Sequence, residues 1–185
     1  MRRLLHAAVA GMMCGALVGP VSALVAQQAE KAPQPKMNDA AVIAIFEYAN
    51  ERDVETAGLA SERGESESVK ALARTFLRDH QNLRQQIRGL AEKLDITPSD
   101  PGYADAKAKH AKVMEMLRAK SGSEFDAAWL EHEIAYHDMV IKAVTTQLLP
   151  AIENEELKAF VEKAAPAFRG HLAQAKELKA KTVSD

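Results

Sequence analysis

Five ionisable residues stand where apolar side chains are expected: Glu55, His80, Glu133, His137 and His171. Around His80, the residues Val69, Ala73, Phe76, Leu83, Ile87, Leu90 and Leu94 recur at steps of three and four, and His80 fills the missing place. Glu133 and His137 sit in the same way among Leu130, Val140, Val144 and Leu148. His171 belongs to an unbroken series of Leu157, Val161, Ala164, Phe168, Ala175 and Leu178. Glu55 lies on a stripe with Ala41, Ile45, Tyr48 and Leu59, with Glu51 one turn earlier.

A lone carboxylate or imidazolium is costly to bury, so such groups are paired, hydrogen-bonded or metal-bound. Glu133 and His137 are four apart on one helical face, a spacing that suits two ligands of one ion. Imidazole with carboxylate is a donor set for iron, manganese, zinc or copper(II). The same residues can form a buried polar layer of histidine–carboxylate hydrogen bonds with no ion, Asp79 serving a neighbouring helix. The sequence favours that second reading, because the paired Glu-x-x-His signature of di-metal bundles is absent. Leu77 stands three before His80, and Phe168 three before His171. His110, Met114 and Met116 read as a solvated helix with methionine packing rather than a soft-metal site, and Trp129 with Tyr136 as a second packing seam. No phosphate loop or nucleophile elbow is present, so no residue is assigned a catalytic role.

The elements that must carry these residues are helices. Asn38 or Asp39 caps a first helix to about Arg63, where Gly64 stops it, and Ser66 or Ser68 opens the second. Two prolines and a glycine in DITPSDPG (95–102) end the second helix. A short helix over about 103–120 follows, and Ser123 with Asp126 resembles a capping box at the start of the third long helix, which Pro150 closes. The fourth long helix follows AIENEE and contains Pro166, which is expected to kink it rather than end it, since the apolar series continues in phase beyond. Four helices of roughly 33–42 Å imply an all-α four-helix bundle, with a short extra helix in the connection between helices two and three. That connection is long enough to cross the bundle, giving an up-down-down-up, ferritin-like order, while a simple up-and-down order stays open.

Residues 1–26 are of another kind. Arg2 and Arg3 precede an apolar run from Leu4 to Val18, then Gly19-Pro20 and small residues that offer cleavage after Ala23 or Ala26, the pattern of a secretory signal peptide. Residues 27–37, with Pro33 and Pro35, read as a flexible leader, and residues 38–181 as the bundle domain. The expected location is periplasmic. Cys14, the sole cysteine, falls inside the signal segment, so the mature chain has no thiol chemistry. Loss of two arginines leaves 22 basic against 26 acidic residues, a net charge of −4 with no basic block, which excludes nucleic acid as an expected partner. The mature chain carries no stable membrane span, and the partners it admits are a metal ion or a second copy of itself.

Three segments, DVETAGLASERGESESVKALARTFLRDH (53–80), GSEFDAAWLEHEIAYH (122–137) and LKAFVEKAAPAFRGHLAQAKEL (157–178), resemble in order and spacing an exported bacterial family known as domain of unknown function 4142. The resemblance covers nearly the whole mature chain. It implies a ferritin-like helical bundle with Glu55, Asp79, His80, Phe125, Asp126, His137 and His171 at recurring positions, and it supplies no activity. The resulting expectation is a periplasmic, non-catalytic binding or stress-related module. The alternative is a metal-binding, redox-active ferritin-like protein using Glu55, His80, Glu133, His137 and His171.

Overall fold

The computed structural model describes residues 37–99 and 102–182. The expected signal segment and nearly all of the leader lie outside these residues. The described residues form five long helices: α1 (Asp39–Arg63), α2 (Glu67–Lys93), α3 (Ala104–Arg118), α4 (Gly122–Ala143) and α5 (Glu155–Thr182). A π-helical turn, Val144–Leu148, and one further turn, Leu149–Ala151, prolong α4. No strand occurs among the described residues. None of the described helices is long and apolar enough to cross a membrane.

Contacts at the two ends give the direction of each helix. At one end Asp39 accepts hydrogen bonds from the backbone N–H groups of Glu153 (2.8 Å) and Asn154 (3.0 Å), joining the starts of α1 and α5, and Lys93 at the end of α2 pairs with Glu156. At the other end Arg63 donates to the carbonyls of Arg118 (3.0 Å) and Lys120 (2.9 Å), and Lys179 pairs with Glu131 (2.8 Å). The long helices α1, α2, α4 and α5 therefore run up, down, down, up. Helix α3 rises beside α1 as the crossing connection, which settles the order left open by the sequence.

Caps fall where the sequence places them at α1 and α2: Asn38 Oδ1 accepts from Ala41 N (2.9 Å) and Ser66 Oγ from Val69 N (3.2 Å). The expected Ser123–Asp126 capping box does not form. Helix α4 begins at Gly122, whose φ of 58° suits a residue without a Cβ, and Ser121 is its N-cap. Asp126 instead reaches across the bundle to accept from the backbone N–H groups of Glu65 and Ser66, both at 2.8 Å. Its carboxylate satisfies two donors that the turn into α2 would otherwise leave unpaired. Asp126→Ala is expected to cost about 1–2 kcal/mol. Urea unfolding should show a lower midpoint at unchanged slope, and an unmoved midpoint would show that water replaces the carboxylate freely.

Helix α5 runs through Pro166 without interruption, burying Leu157, Val161, Ala164, Phe168, His171 and Ala175 as its periodicity requires. Helix α1 departs from expectation. Its core face carries Val42, Phe46, Asn50, Asp53, Ala57 and Ala60, one residue out of step with the stripe through Ile45, Tyr48, Glu55 and Leu59. Both series have the same period. The larger apolar residues Ile45 and Tyr48 sit on the flank that meets α3, and the true core stripe is interrupted by two polar residues.

Apolar packing falls into two clusters. One gathers Phe46, Ile87, Leu148, Leu157, Val161 and Phe168 at the end where α1 begins. The other gathers Val69, Phe76, Phe125, Trp129, Leu130 and Ala175 toward the end where it finishes. Between them lies a layer of buried polar groups.

Candidate metal centre

Four helices contribute to that layer: Asn50, Asp53 and Thr56 from α1, His80 from α2, Glu133 and His137 from α4, and His171 from α5. All are buried, with His80, His137 and His171 exposed by 0, 1 and 3%. The three imidazole centroids are 5.0 Å (His80–His171), 5.4 Å (His137–His171) and 5.5 Å (His80–His137) apart. Phe76 forms a wall of the cluster, stacked on His171 at 4.3 Å and 5.2 Å from His137.

Hydrogen-bond partners decide which nitrogen of each ring carries the proton. Asn50 donates its amide to the Phe46 carbonyl (2.7 Å), which turns its Oδ1 toward His80 Nδ1 (2.7 Å). That oxygen can only accept, so His80 Nδ1 is protonated and Nε2 is bare. His171 Nε2 lies 3.1 Å from Asp79 Oδ2, a carboxylate oxygen that accepts, so Nε2 donates and Nδ1 is bare. His137 Nδ1 donates to the Glu133 carbonyl at 3.0 Å, leaving Nε2 bare. Two of the bare atoms, His80 Nε2 and His171 Nδ1, face each other at 3.2 Å with no proton to share between neutral rings. The third, His137 Nε2, is buried and has no hydrogen-bond partner among the described residues.

The carboxylates stand beside them. Asp53 Oδ2 is 3.7 Å from His80 Nε2, and Glu133 Oε2 is 3.5 Å from His137 Nδ1. Thr56 Oγ1 donates to Glu133 Oε1 (2.9 Å), while Glu133 Oε2 and Asp53 Oδ1 are buried without a hydrogen-bond donor. Donor atoms of His80, His137 and His171 lie within 4.8 Å of one another, as do those of Asp53, Glu133 and His137. His137 joins the two sets.

Burial governs the charges here. It pushes the Asp53 carboxyl well above its usual range, with the neighbouring Glu133 charge adding to the effect, and it raises Glu133 to about 7. One of these carboxyls therefore holds a proton near neutrality, which lets the two share a hydrogen bond. Burial likewise holds His80 well below the ordinary imidazole value and His137 down to about 3, with neighbouring histidines adding to it, and it lowers His171. The rings are thus neutral, the form in which imidazole binds a metal. Each bare nitrogen is oriented by a partner on its other nitrogen: an amide oxygen, a carboxylate and a backbone carbonyl. Metal-binding histidines are typically held in this way.

Of the residues singled out from the sequence, His80, Glu133, His137 and His171 are brought together and Glu55 is not. Its side chain is 41% exposed, pairs with Arg52 (2.9 Å), and accepts from His110 Nε2 (2.8 Å). His110, on a helix read as solvated, is buried and bonded to α1 through Glu55, while Met114 is buried in keeping with the packing reading. Asp53 and its neighbours Asn50 and Thr56 escaped sequence reasoning. The signal was available in the regular steps Val42, Phe46, Asn50, Asp53, Ala57, Ala60.

A family model described as "Domain of unknown function (DUF4142)" matches residues 24–178, and the chain belongs to that family. No curated protein matches it. Among solved structures it is similar to CopM in a Cu(II)-bound form, with a TM-score of 0.60, 16% identity, and 78% of this chain and 98% of that one covered. The apo form of CopM gives a TM-score of 0.60, 15% identity, and coverage of 78% and 97%. A DUF305 fragment from Deinococcus radiodurans gives a TM-score of 0.65 at 14% identity, covering 80% of this chain and 97% of that one. At these identities the likeness establishes a shared helical-bundle fold.

Proposed function

We propose that this family member is an exported metal-binding bundle in which His80, His137 and His171, with Asp53 and Glu133, hold a transition-metal ion. One observation carries the reading: three neutral imidazoles, each fixed by a partner on its protonated nitrogen, turn bare nitrogens into one buried cluster. A purely structural polar layer would leave His137 Nε2 unsatisfied at a cost of about 1–3 kcal/mol, and would need a proton shared between Asp53 and Glu133. An ion would accept electron pairs from all of them and supply Lewis-acid or, for copper or iron, one-electron chemistry. Glu55 is left out of the set because Arg52 and His110 already engage it.

Histidine with carboxylate suits copper(II), zinc, iron or manganese, and copper(II) is the first ion to try, since CopM, which shares the fold, was solved with Cu(II). Export rests on the basic, apolar and small-residue pattern of residues 1–26.

The test is metal analysis of tag-free protein after exhaustive dialysis, first with and then without loading. One equivalent of copper or zinc should be retained, and failure to retain any transition metal would sink the proposal. Affinity should also rise with pH. Glu133 keeps its proton up to about 7, so binding below that value must expel it, whereas the histidines are already bare. Zinc binding is expected to tighten by about tenfold or more from pH 5.5 to pH 8. Calorimetry in two buffers of different ionisation enthalpy should detect the released proton.

A further inference from the structure

The ring of His171 is the thinnest wall of the centre. Its bare Nδ1 lies 3.2 Å from His80 Nε2 inside the bundle, while Nε2, on the other edge of the same ring, lies 3.1 Å from Asp79 Oδ2. The Asp79 side chain is 31% exposed, so a single imidazole separates the buried donors from a carboxylate that solvent reaches. His80 and His137 have no such outlet, since their other nitrogens meet the buried Asn50 and the Glu133 carbonyl. Asp79 Oδ1 accepts from Arg78 Nε (2.9 Å) and Nη2 (2.7 Å). That guanidinium is 65% exposed, and a pair so open to water is readily given up.

Helix α5 is weakest beside this ring. Pro166 has no N–H to give to the turn before it, and Gly170 adjoins His171. Both residues lower helix stability. Neither crowding nor a positive φ calls for glycine at 170, where an added Cβ would meet nothing within 4 Å. Two other flanks are less open to a hydrated cation. Between α1 and α2, Arg84 ties to Glu47 (3.6 Å) and Glu51 (3.0 Å), and Arg88 to Glu47. Between α1, α3 and α4 the walls are mainly apolar, with Ile45, Val113 and Val140, and would strip an ion of water without replacing it.

We infer that the ion enters and leaves through the seam between α2 and α5, with Asp79 as its first ligand and His171 as the ligand that swings to pass it inward. The carboxylate draws a cation to the surface of the seam. In taking the ion it releases Arg78 and the His171 Nε2–H, and the freed ring turns its bare Nδ1 to the ion. The proton stays on Nε2 throughout, so no acid or base takes part. Flexing of α5 over Pro166–Gly170 provides the movement. The route presupposes the centre proposed above.

Trp129, the sole tryptophan, is buried with its ring 5.9 Å from that of Phe76, so copper(II) in the centre should quench its fluorescence. Stopped-flow mixing of metal-free protein with copper(II) reads entry, and mixing of loaded protein with excess EDTA reads exit. Gly170→Ala stiffens α5 and should slow both about threefold or more, with the dissociation constant kept within about twofold and the melting temperature no lower. Asp79→Asn keeps an acceptor for Nε2 and removes the charge. Entry should then slow about fivefold or more, and by less at high salt. Arg78→Gln should speed entry. Tyr103→Ala, which removes the ring stack on Tyr48 at the α3 flank, should change neither rate. Entry indifferent to Asp79→Asn or to Gly170→Ala would overturn the route, as would faster entry in Tyr103→Ala. Faster exit at an unchanged rate of entry in Asp79→Asn would leave Asp79 only orienting His171, and would overturn it too. A parent that retains no copper loses the centre and the route together, whereas a parent that loads normally with unmoved variant rates loses the route alone.

Discussion

Zinc(II) held at about a thousand times its dissociation constant is expected to raise the melting temperature of the metal-free protein by about 10 °C. An ion that binds only the folded state adds about 4 kcal/mol at that excess, and a chain of this size gains roughly 2–4 °C per kcal/mol. His137→Ala should erase the gain, because His137 belongs to both donor groups. Its melting temperature without metal is not the readout, since removing a buried ring lowers stability under any account. The difference between loaded and unloaded protein isolates the ion. Glu55→Gln should keep the full gain, for that carboxylate lies outside the cluster. A parent protein unmoved by zinc, copper, iron and manganese would dispose of the centre altogether.

The largest effect without metal is expected at Phe76. Its side chain is fully buried, lies against His137, His171 and Trp129, and closes the polar layer against the apolar cluster beyond. Phe76→Ala removes that packing and opens a cavity, at about 3–5 kcal/mol. Against a total stability of about 5–15 kcal/mol, this is a substantial fraction. Phe76→Leu restores most of the volume and should recover more than half of the loss. Denaturant unfolding of metal-free protein measures both, and a loss below about 1 kcal/mol for the alanine variant would show that the wall collapses without penalty.

The residues of α5 were fully legible from the sequence, because an apolar series with a single histidine leaves only one face to bury. His80 on α2 was legible for the same reason. On α1 the same method chose Glu55 over Asp53, since Ile45 and Tyr48 outweigh Asn50 and Thr56 on any scale of apolarity. A helix with one face toward the polar layer and another toward α3 has two half-buried sides, and periodicity alone does not rank them. Asp126 shows a different limit. Its partners are backbone N–H groups about sixty residues away, and no local pattern encodes them. The π-helical turn is likewise invisible in composition. The strongest argument for an ion, the choice of protonated nitrogen on each ring, depends on which partners the fold brings to Asn50, Asp79 and the Glu133 carbonyl.

The crossing helix α3 divides the bundle into two antiparallel pairs, α1 with α2 and α4 with α5. Asp53 and His80 come from the first pair, while Glu133, His137 and His171 come from the second. Neither pair has the full set of donors, so the centre is complete only after the two have docked. An interaction formed that late leaves the rate of folding nearly untouched and slows the reverse step, in which the pairs come apart. An ion held there would act as a clasp on a finished structure, lengthening the life of the folded chain without helping it to form.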